Sequence, residues 1–389
     1  FFLMIRRPPR STLFPYTTLF RSFQLLFADD LKMVAAGKDK YDHIWYMLMA
    51  WLMLGTPFHW PKFRGGVCLE FVGFYMDYCK FEVGLSERRT NWIVQWVETA
   101  RQNGGMVTHR SFVELVGRLV YAGQVLVWMK PLMAPLHAWK SAVAAGTAAI
   151  LPQTVSVILL FIAGMLKKGF HRTSGRSPLH GGDQAFRTDA KCDEGRVILG
   201  GWELGREADP KKSRWFALEV SAADAPWLFD TDHLPSRSTV AELLASLIAL
   251  EVFGHFKAGS HPRRVTLEAG TDNLATEHVT RKGSSNKFPL SYVQIQLGLK
   301  CYLHGLVFRL RWRPRETNVE ADDLTNLRFD RFSPRLRCEV CWKELDWTMM
   351  DELLKVREEG QSWKEEKRRH PPVPAHSSKK QKLASKTKW

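Results

Sequence analysis

The sequence has no long unbroken apolar run. Its longest candidate, Ala142 to Leu166, is interrupted by Pro152, Gln153, Thr154 and Ser156. That leaves a helix of about a dozen residues, short of the roughly 20 that cross a bilayer, so no membrane association is expected. Cysteine is scarce as well. Cys68, Cys79, Cys192, Cys301, Cys338 and Cys341 form no regular framework, which excludes a small disulfide scaffold and favours a reducing compartment, nucleus or cytoplasm. Cys338-Glu339-Val340-Cys341 has half the spacing of a zinc site, but no second Cys/His pair lies nearby, and structural zinc takes four ligands. Acidic charge is the third shortage. Forty Asp and Glu face 56 Lys and Arg, a net charge of +16, and an excess of that size favours a polyanionic partner.

What is present describes a globular protein. Hydrophobic residues make up 45% of 389, enough for two or three domains with cores of their own. Fifteen Trp add flat surfaces on which bases could stack. The first 22 residues are anomalous: Ser11 to Ser22 reads Ser-Thr-Leu-Phe-Pro-Tyr-Thr-Thr-Leu-Phe-Arg-Ser, which resembles the translation of a sequencing adapter. Residues 1–22 are therefore set aside as artefact, with the expectation that the natural protein begins upstream.

Periodicity and punctuation then divide the chain. Residues 23–35 read as strand, tight turn, strand. A helix is expected over Tyr41–Leu54, strands over Val67–Phe74 and Tyr75–Phe81, and an amphipathic helix over 86–103 with Ser86 as N-cap. A further helix near Thr108–Ser111 would bury Phe112, Leu115, Val116, Leu119 and Val120 on one face. The Gly/Ser/Arg-rich residues 171–183 read as a linker. From residue 184 the pattern is three strands, helix, strand, helix, strand, the plan of a mixed-sheet α/β domain ending near residue 330. Residues 331–389 read as a basic, partly disordered tail with Pro371-Pro372-Val373-Pro374 and Lys379-Lys380-Gln381-Lys382.

Two sets of acids carry chemistry. Phe27-Ala28-Asp29-Asp30 ends an apolar run, and adjacent carboxylates at a strand tip repel each other unless a divalent cation is bound. Downstream, Asp189 follows Thr188 at an expected strand end. Glu242 is expected in the first turn of a helix capped by Ser238 or Thr239. Asp272 follows a short strand, and Asp322-Asp323 opens a helix after the last strand. Strand ends and helix starts at one sheet edge can converge, and clustered acids stay ionised only beside cations, Mg²⁺ being the oxygen-seeking choice. Arg309, Arg311, Arg313 and Arg315 alternate, giving one strand face a basic strip that suits a phosphate backbone, or a charged edge that resists sheet aggregation.

The downstream set resembles a ribonuclease H domain of retroelement type: Thr188-Asp189-Ala190, Glu242 on its helix, Thr271-Asp272-Asn273, and Asn318-x-x-Ala321-Asp322-x-Leu324. The resemblance implies that Asp189, Glu242, Asp272 and Asp322 hold two Mg²⁺ ions, or Mn²⁺ in their place, and that RNA is cut in an RNA–DNA hybrid. Many relatives carry a His before the last acidic segment; Arg313-Pro314-Arg315-Glu316-Thr317 has none, which implies slow turnover or another group. Residues 23–85 resemble the C-terminal part of a reverse-transcriptase palm and 86–170 a helical thumb or connection. In that palm Asp29 and Asp30 form the metal motif, with Asp29 the ligand, Lys62 lies near the leaving pyrophosphate, and Phe71, Gly73 and Phe74 grip the primer. Ser111 to Tyr121, with Gly117-Arg118-Leu119, fits the thumb's start. The whole resembles a retrotransposon polyprotein of DIRS type, α+β followed by α/β, with an RNA–DNA hybrid or primer-template as partner. Its fingers and first palm motifs should precede Phe23, so this chain is expected not to polymerise. The alternative reading is a catalytically dead, nucleic-acid-binding remnant.

Overall fold

A computed structural model describes residues 22–27, 30–180, 182–193, 195–205, 207–230, 234–256 and 264–357. Residues 1–21, Asp29 and the Pro- and Lys-rich stretches after 357 lie outside the described residues. The chain separates into two units, Phe1–Glu87 and Arg88–Trp389.

In the first unit, β1 (Ser22–Phe27) and β2 (Asp30–Ala35) pair antiparallel, with Phe27 opposite Asp30. Helix α1 (Lys40–Met53) stops at Leu54-Gly55, where Gly55 takes φ +72°. The strands expected over Val67–Phe74 and Tyr75–Phe81 are the shorter β3 (Cys68–Phe71) and β4 (Phe74–Asp77), and a further strand that was not expected, β5 (Glu82–Leu85), completes an antiparallel meander. The reason is local: Val72 (φ +47°) and Gly73 (φ +76°) close a two-residue turn between the paired Phe71 and Phe74, a geometry that suits the twist of a hairpin.

The second unit opens with helices. Its residues from Arg88 continue α2 (Glu87–Gln102), followed by β6 (Met106–Thr108), α3 (His109–Ala122), α4 (Met133–Ala142), β7 (Ala148–Ile150) and α5 (Gln153–Lys167). Thr108 caps α3 by accepting from the Ser111 amide. Phe112, Leu115, Val116, Leu119 and Ala122 are buried; Val120, expected among them, is 42% exposed, because a 3.6-residue period turns it away from the stripe. Phe112 meets the Trp139 ring edge-on at 4.3 Å, and Trp96 Nε1 donates to Ser111 Oγ at 2.8 Å. Among the described residues no helix is long and apolar enough to cross a membrane.

The expected linker instead contains β8 (Arg172–Ser174) and β9 (Leu179–His180). The main sheet uses β10 (Phe186–Asp193), β11 (Arg196–Glu203), β12 (Trp215–Val220), β13 (Val265–Thr271) and β14 (Leu306–Trp312), in the order β12-β11-β10-β13-β14. The first three strands are antiparallel, while β10–β13 and β13–β14 are parallel. Strand β9 pairs with Val265 and Thr266 of β13, the part of that strand which β10 does not reach. Between these strands lie α6 (Pro226–Phe229), α7 (Ser238–Val252), α8 (Leu274–Lys282) and α9 (Leu290–Leu303), and α10 (Val319–Thr325) follows β14.

Adjacent residues of a strand point to opposite faces, and two glycines of β11 show what each face carries. A Cβ on Gly200 would sit 2.8 Å from the Leu324 Cβ of α10. One on Gly201 would meet Thr188, whose hydroxyl bonds Ser246 of α7. Helices α10 and α7 therefore cover opposite faces. Residues 331–357, expected in the tail, are packed. Phe332 lies in a buried cluster with Trp202, Trp215, Ala321 and Leu324, and Trp342, Trp347, Met350 and Leu353 are buried. Five large apolar side chains in that stretch outweigh its basic charge.

Candidate metal centre

The parallel pairing of β10 with β13 stops after Arg187 opposite Gly270, so the strands part just before Asp189 and Thr271. Glu242 occupies that gap. Its Oε1 accepts from the Ala190 amide of β10 at 3.4 Å and its Oε2 from Thr271 Oγ1 of β13 at 3.2 Å. Asp189 lies mid-strand in β10, not at the strand's end as expected, and Asp272 is the first residue past β13. One carboxylate oxygen from each of Asp189, Glu242 and Asp272 lies within 4.8 Å of the others. Among the described residues this is the single such group of possible metal ligands. Cys338 and Cys341 belong to no such group, and both are free thiols.

Glu242 is not in the first turn of its helix. The helix runs back to Ser238, Arg237 stands at its N-cap without a side-chain bond, and neither Ser238 nor Thr239 caps it. The consequence is burial: Glu242 is only 3% exposed. That burial, then Asp189 and Asp272 beside it, pushes its carboxyl well above the usual range. Asp272 is shifted upward too, by burial and by Asp189, with Arg315 opposing and Asp322 adding to it. The neighbouring Cys192 thiol is raised to about 12 by burial and by the Glu242 and Asp189 charges. Among the described residues no Lys or Arg forms an ion pair with any of the three carboxylates. Three carboxylates held together without a bonded cation, two of them buried, form a site that can ionise fully only beside a cation.

Asp322 is placed beside this group but outside it. Its carboxylate accepts from Arg315 Nη2 at 2.8 Å, Asn326 Nδ2 at 2.8 Å and Arg328 Nη2 at 3.2 Å. Asp323 pairs with Arg328 and Arg331 at 2.8 and 3.0 Å. Of the basic strip, Arg309 and Arg311 project from the edge strand β14 toward Glu268 of β13, at 4.0 and 2.9 Å. Arg313 has left the strand and donates to Gln184 Oε1 at 2.8 Å. In the first unit, Asp30 and Lys62 are exposed, and Phe71, Gly73 and Phe74 are half-buried at the hairpin turn.

Several supporting contacts escaped the sequence reading. Thr325 Oγ1 donates to Asp189 Oδ2 at 2.6 Å. Asn318, fully buried, donates its amide to the Thr188 carbonyl at 3.2 Å instead of capping α10. Trp312 Nε1 donates to the Asp272 carbonyl at 3.0 Å and leaves its ring 46% exposed. Only Asn318 had a signal, its place ahead of the last acidic segment; the others depend on contacts between distant elements.

No family model matches the chain, and no curated protein matches it. Among solved structures it is similar to ribonuclease H1 from the halophilic archaeon Halobacterium salinarum, at 16% identity and a TM-score of 0.25 over 40% of this chain and 98% of that one. It is also similar to the foamy viral protease-reverse transcriptase dRH in complex with double-stranded DNA, at 10% identity and a TM-score of 0.32 over 74% and 46% of the two chains. The foamy viral protease-reverse transcriptase in complex with RNA/DNA hybrid gives 11%, 0.33, 74% and 35%. The chain thus spans less than half the length of these viral chains.

Proposed function

We propose that residues 184–330 form a ribonuclease H-like, divalent-metal-dependent nuclease that cuts the RNA strand of an RNA–DNA hybrid. The observation that carries this reading is the convergence of Asp189, Glu242 and Asp272 within 4.8 Å on a mixed sheet of the expected strand plan. Their donor set fits the ion: three hard carboxylate oxygens suit Mg²⁺ or Mn²⁺, and a cation offsets the burial and the mutual repulsion that raise Glu242 and Asp272. Bound there, such ions would supply Lewis-acid polarisation of a phosphodiester and offset the charge on its leaving oxygen.

The protein's own groups have definite tasks in this reading. Thr325 fixes Asp189, and Thr271 with the Ala190 amide fixes Glu242. Asp322 is the fourth carboxylate, near enough to raise Asp272. It also holds Arg315 and Arg328, whose side chains are 76% and 58% exposed and suited to phosphate oxygens. Arg309, Arg311 and Arg313 extend that positive surface for a backbone read by shape rather than sequence. Residues 23–85 and 86–170 enter the same reading as the end of a reverse-transcriptase palm and its thumb. There, exposed Asp30 and Lys62 and the Phe71–Phe74 turn would meet a primer-template.

The test is cleavage of a labelled RNA–DNA hybrid by the full chain in Mg²⁺, beside an Asp189→Asn variant. Cutting that requires the metal and vanishes in the variant is the expected result. A folded protein that binds hybrid without cutting it would overturn the nuclease and leave a nucleic-acid-binding remnant.

A further inference from the structure

Among the described Trp residues of the second unit, Trp312 alone is exposed; the others are buried. It ends β14 opposite Thr271 of β13, and its Nε1 donates to the backbone carbonyl of Asp272 at 3.0 Å. That bond fixes the indole beside the carboxylate centre and uses its one donor. What remains is the ring itself, 46% exposed, and among the described residues no aromatic ring or cation stacks on it. Exposed Trp60 of the first unit, by contrast, packs with Phe58 and Phe63.

The chain around the ring carries charge of one sign. Residues 311–315 read Arg-Trp-Arg-Pro-Arg, and the Arg315 side chain is 76% exposed. Arg315 is also near enough to Asp272 to oppose the rise of its carboxyl, so an indole and a guanidinium flank the same acid. An apolar side chain of a protein partner would cover the ring but leave the guanidinium unmatched. A nucleotide matches both, its phosphate oxygens meeting arginine and its base meeting the ring face. Geometry restricts which nucleotide. Inside a duplex each base is covered on both faces by its neighbours, so a side chain stacks on a base that is unpaired, splayed out or terminal.

We infer that Trp312 is a stacking platform for one unpaired base beside the scissile phosphate, so that the centre prefers hybrids interrupted by an unpaired ribonucleotide over continuous ones. This inference rests on the nuclease reading above and adds a substrate preference to it.

The experiment measures binding of the full chain, in EDTA so that metal-dependent cutting is blocked, to two RNA–DNA hybrids of equal length with identical ends. One is continuous; the other carries a single bulged 2-aminopurine in its RNA strand, whose emission falls when it stacks on an indole. Wild type is compared with Trp312→Phe, which keeps a ring but loses the bond to Asp272, and with Trp312→Leu, which loses both. Trp312 is at the surface, so both variants should fold, which circular dichroism checks. Wild type should bind the bulged hybrid roughly five-fold or more tightly than the continuous one and quench the 2-aminopurine. Trp312→Phe should keep most of that preference and Trp312→Leu should abolish it. Equal affinity of wild type for the two hybrids, or a preference kept by Trp312→Leu, overturns the proposal. So does a preference lost alike in both variants, which would assign Trp312 to holding Asp272 alone. The nuclease reading is judged separately, by whether wild type cuts the continuous hybrid once Mg²⁺ is restored; binding of neither hybrid overturns both.

Discussion

At the residue scale, the carboxylate centre should govern stability as well as chemistry. Glu242 and Asp272 have folded-state pKa values above their ordinary 4.5 and 3.8, so the folded protein binds more protons than the unfolded chain. The contribution of these two groups to metal-free stability is then fully present below about pH 4, where both states are protonated at them. It declines as pH rises from there toward the raised folded values, by up to about 1.4 kcal/mol per pH unit for buried Glu242 and by less for half-buried Asp272, which water screens. Denaturant midpoints in EDTA should show that decline, a Glu242→Gln variant should flatten it, and saturating Mg²⁺ should suppress it in wild type. An unchanged slope in Glu242→Gln would show that another group controls the effect. Val72 offers a separate test. A β-branched residue at φ +47° is strained, whereas Asn accepts that conformation, so Val72→Asn should stabilise the first unit by about 1 kcal/mol in urea unfolding.

At the scale of elements, the close approach of α10 to β11 holds the centre together. Because a Cβ on Gly200 would stand 2.8 Å from Leu324 and 3.2 Å from Thr325 Cγ2, Gly200→Ala must push the helix outward. The Thr325 bond to Asp189 goes with it. The expected cost is about 1–3 kcal/mol, with weaker Mg²⁺ binding by calorimetry than in Thr325→Ser, which keeps the hydroxyl. Equal Mg²⁺ affinity in the two variants would detach α10 from the centre. The same contact lies beyond sequence reading: within Gly200-Gly201 one glycine admits a helix and the other clears Phe216 and Thr188, both contacts between distant elements.

At the scale of the whole molecule, the charge of +16 predicts hybrid binding that weakens steeply with salt. Arg311→Ala should lower the slope of log K against log salt by about 0.9 if that side chain meets a phosphate. No change in slope would assign it to Glu268, which it already pairs at 2.9 Å. Both readings of the basic strip stay physically coherent, because β14 is a sheet edge and charge there also discourages strand pairing.

The amino-acid order by itself marked the five strands after residue 184 and the helices α7 and α9, since hydrophobic period and Gly turns are local; it missed the short helices α6 and α8. It also marked Asp189, Glu242 and Asp272, through the distinctive residues beside them. Its errors came where distant contacts decide. Glu242 was assigned to a helix start because Ser238 and Thr239 look like caps, whereas packing extends the helix and buries the carboxylate. Asp322 was grouped with the other three by motif, but Arg315, Asn326 and Arg328 hold its carboxylate. Residues 331–357 looked like tail because their charge is visible in sequence and the core they complete is not. Tertiary structure alone opened the gap between β10 and β13 that admits Glu242. Strand separation depends on where parallel pairing ends, and that is set by the helices packed on either face.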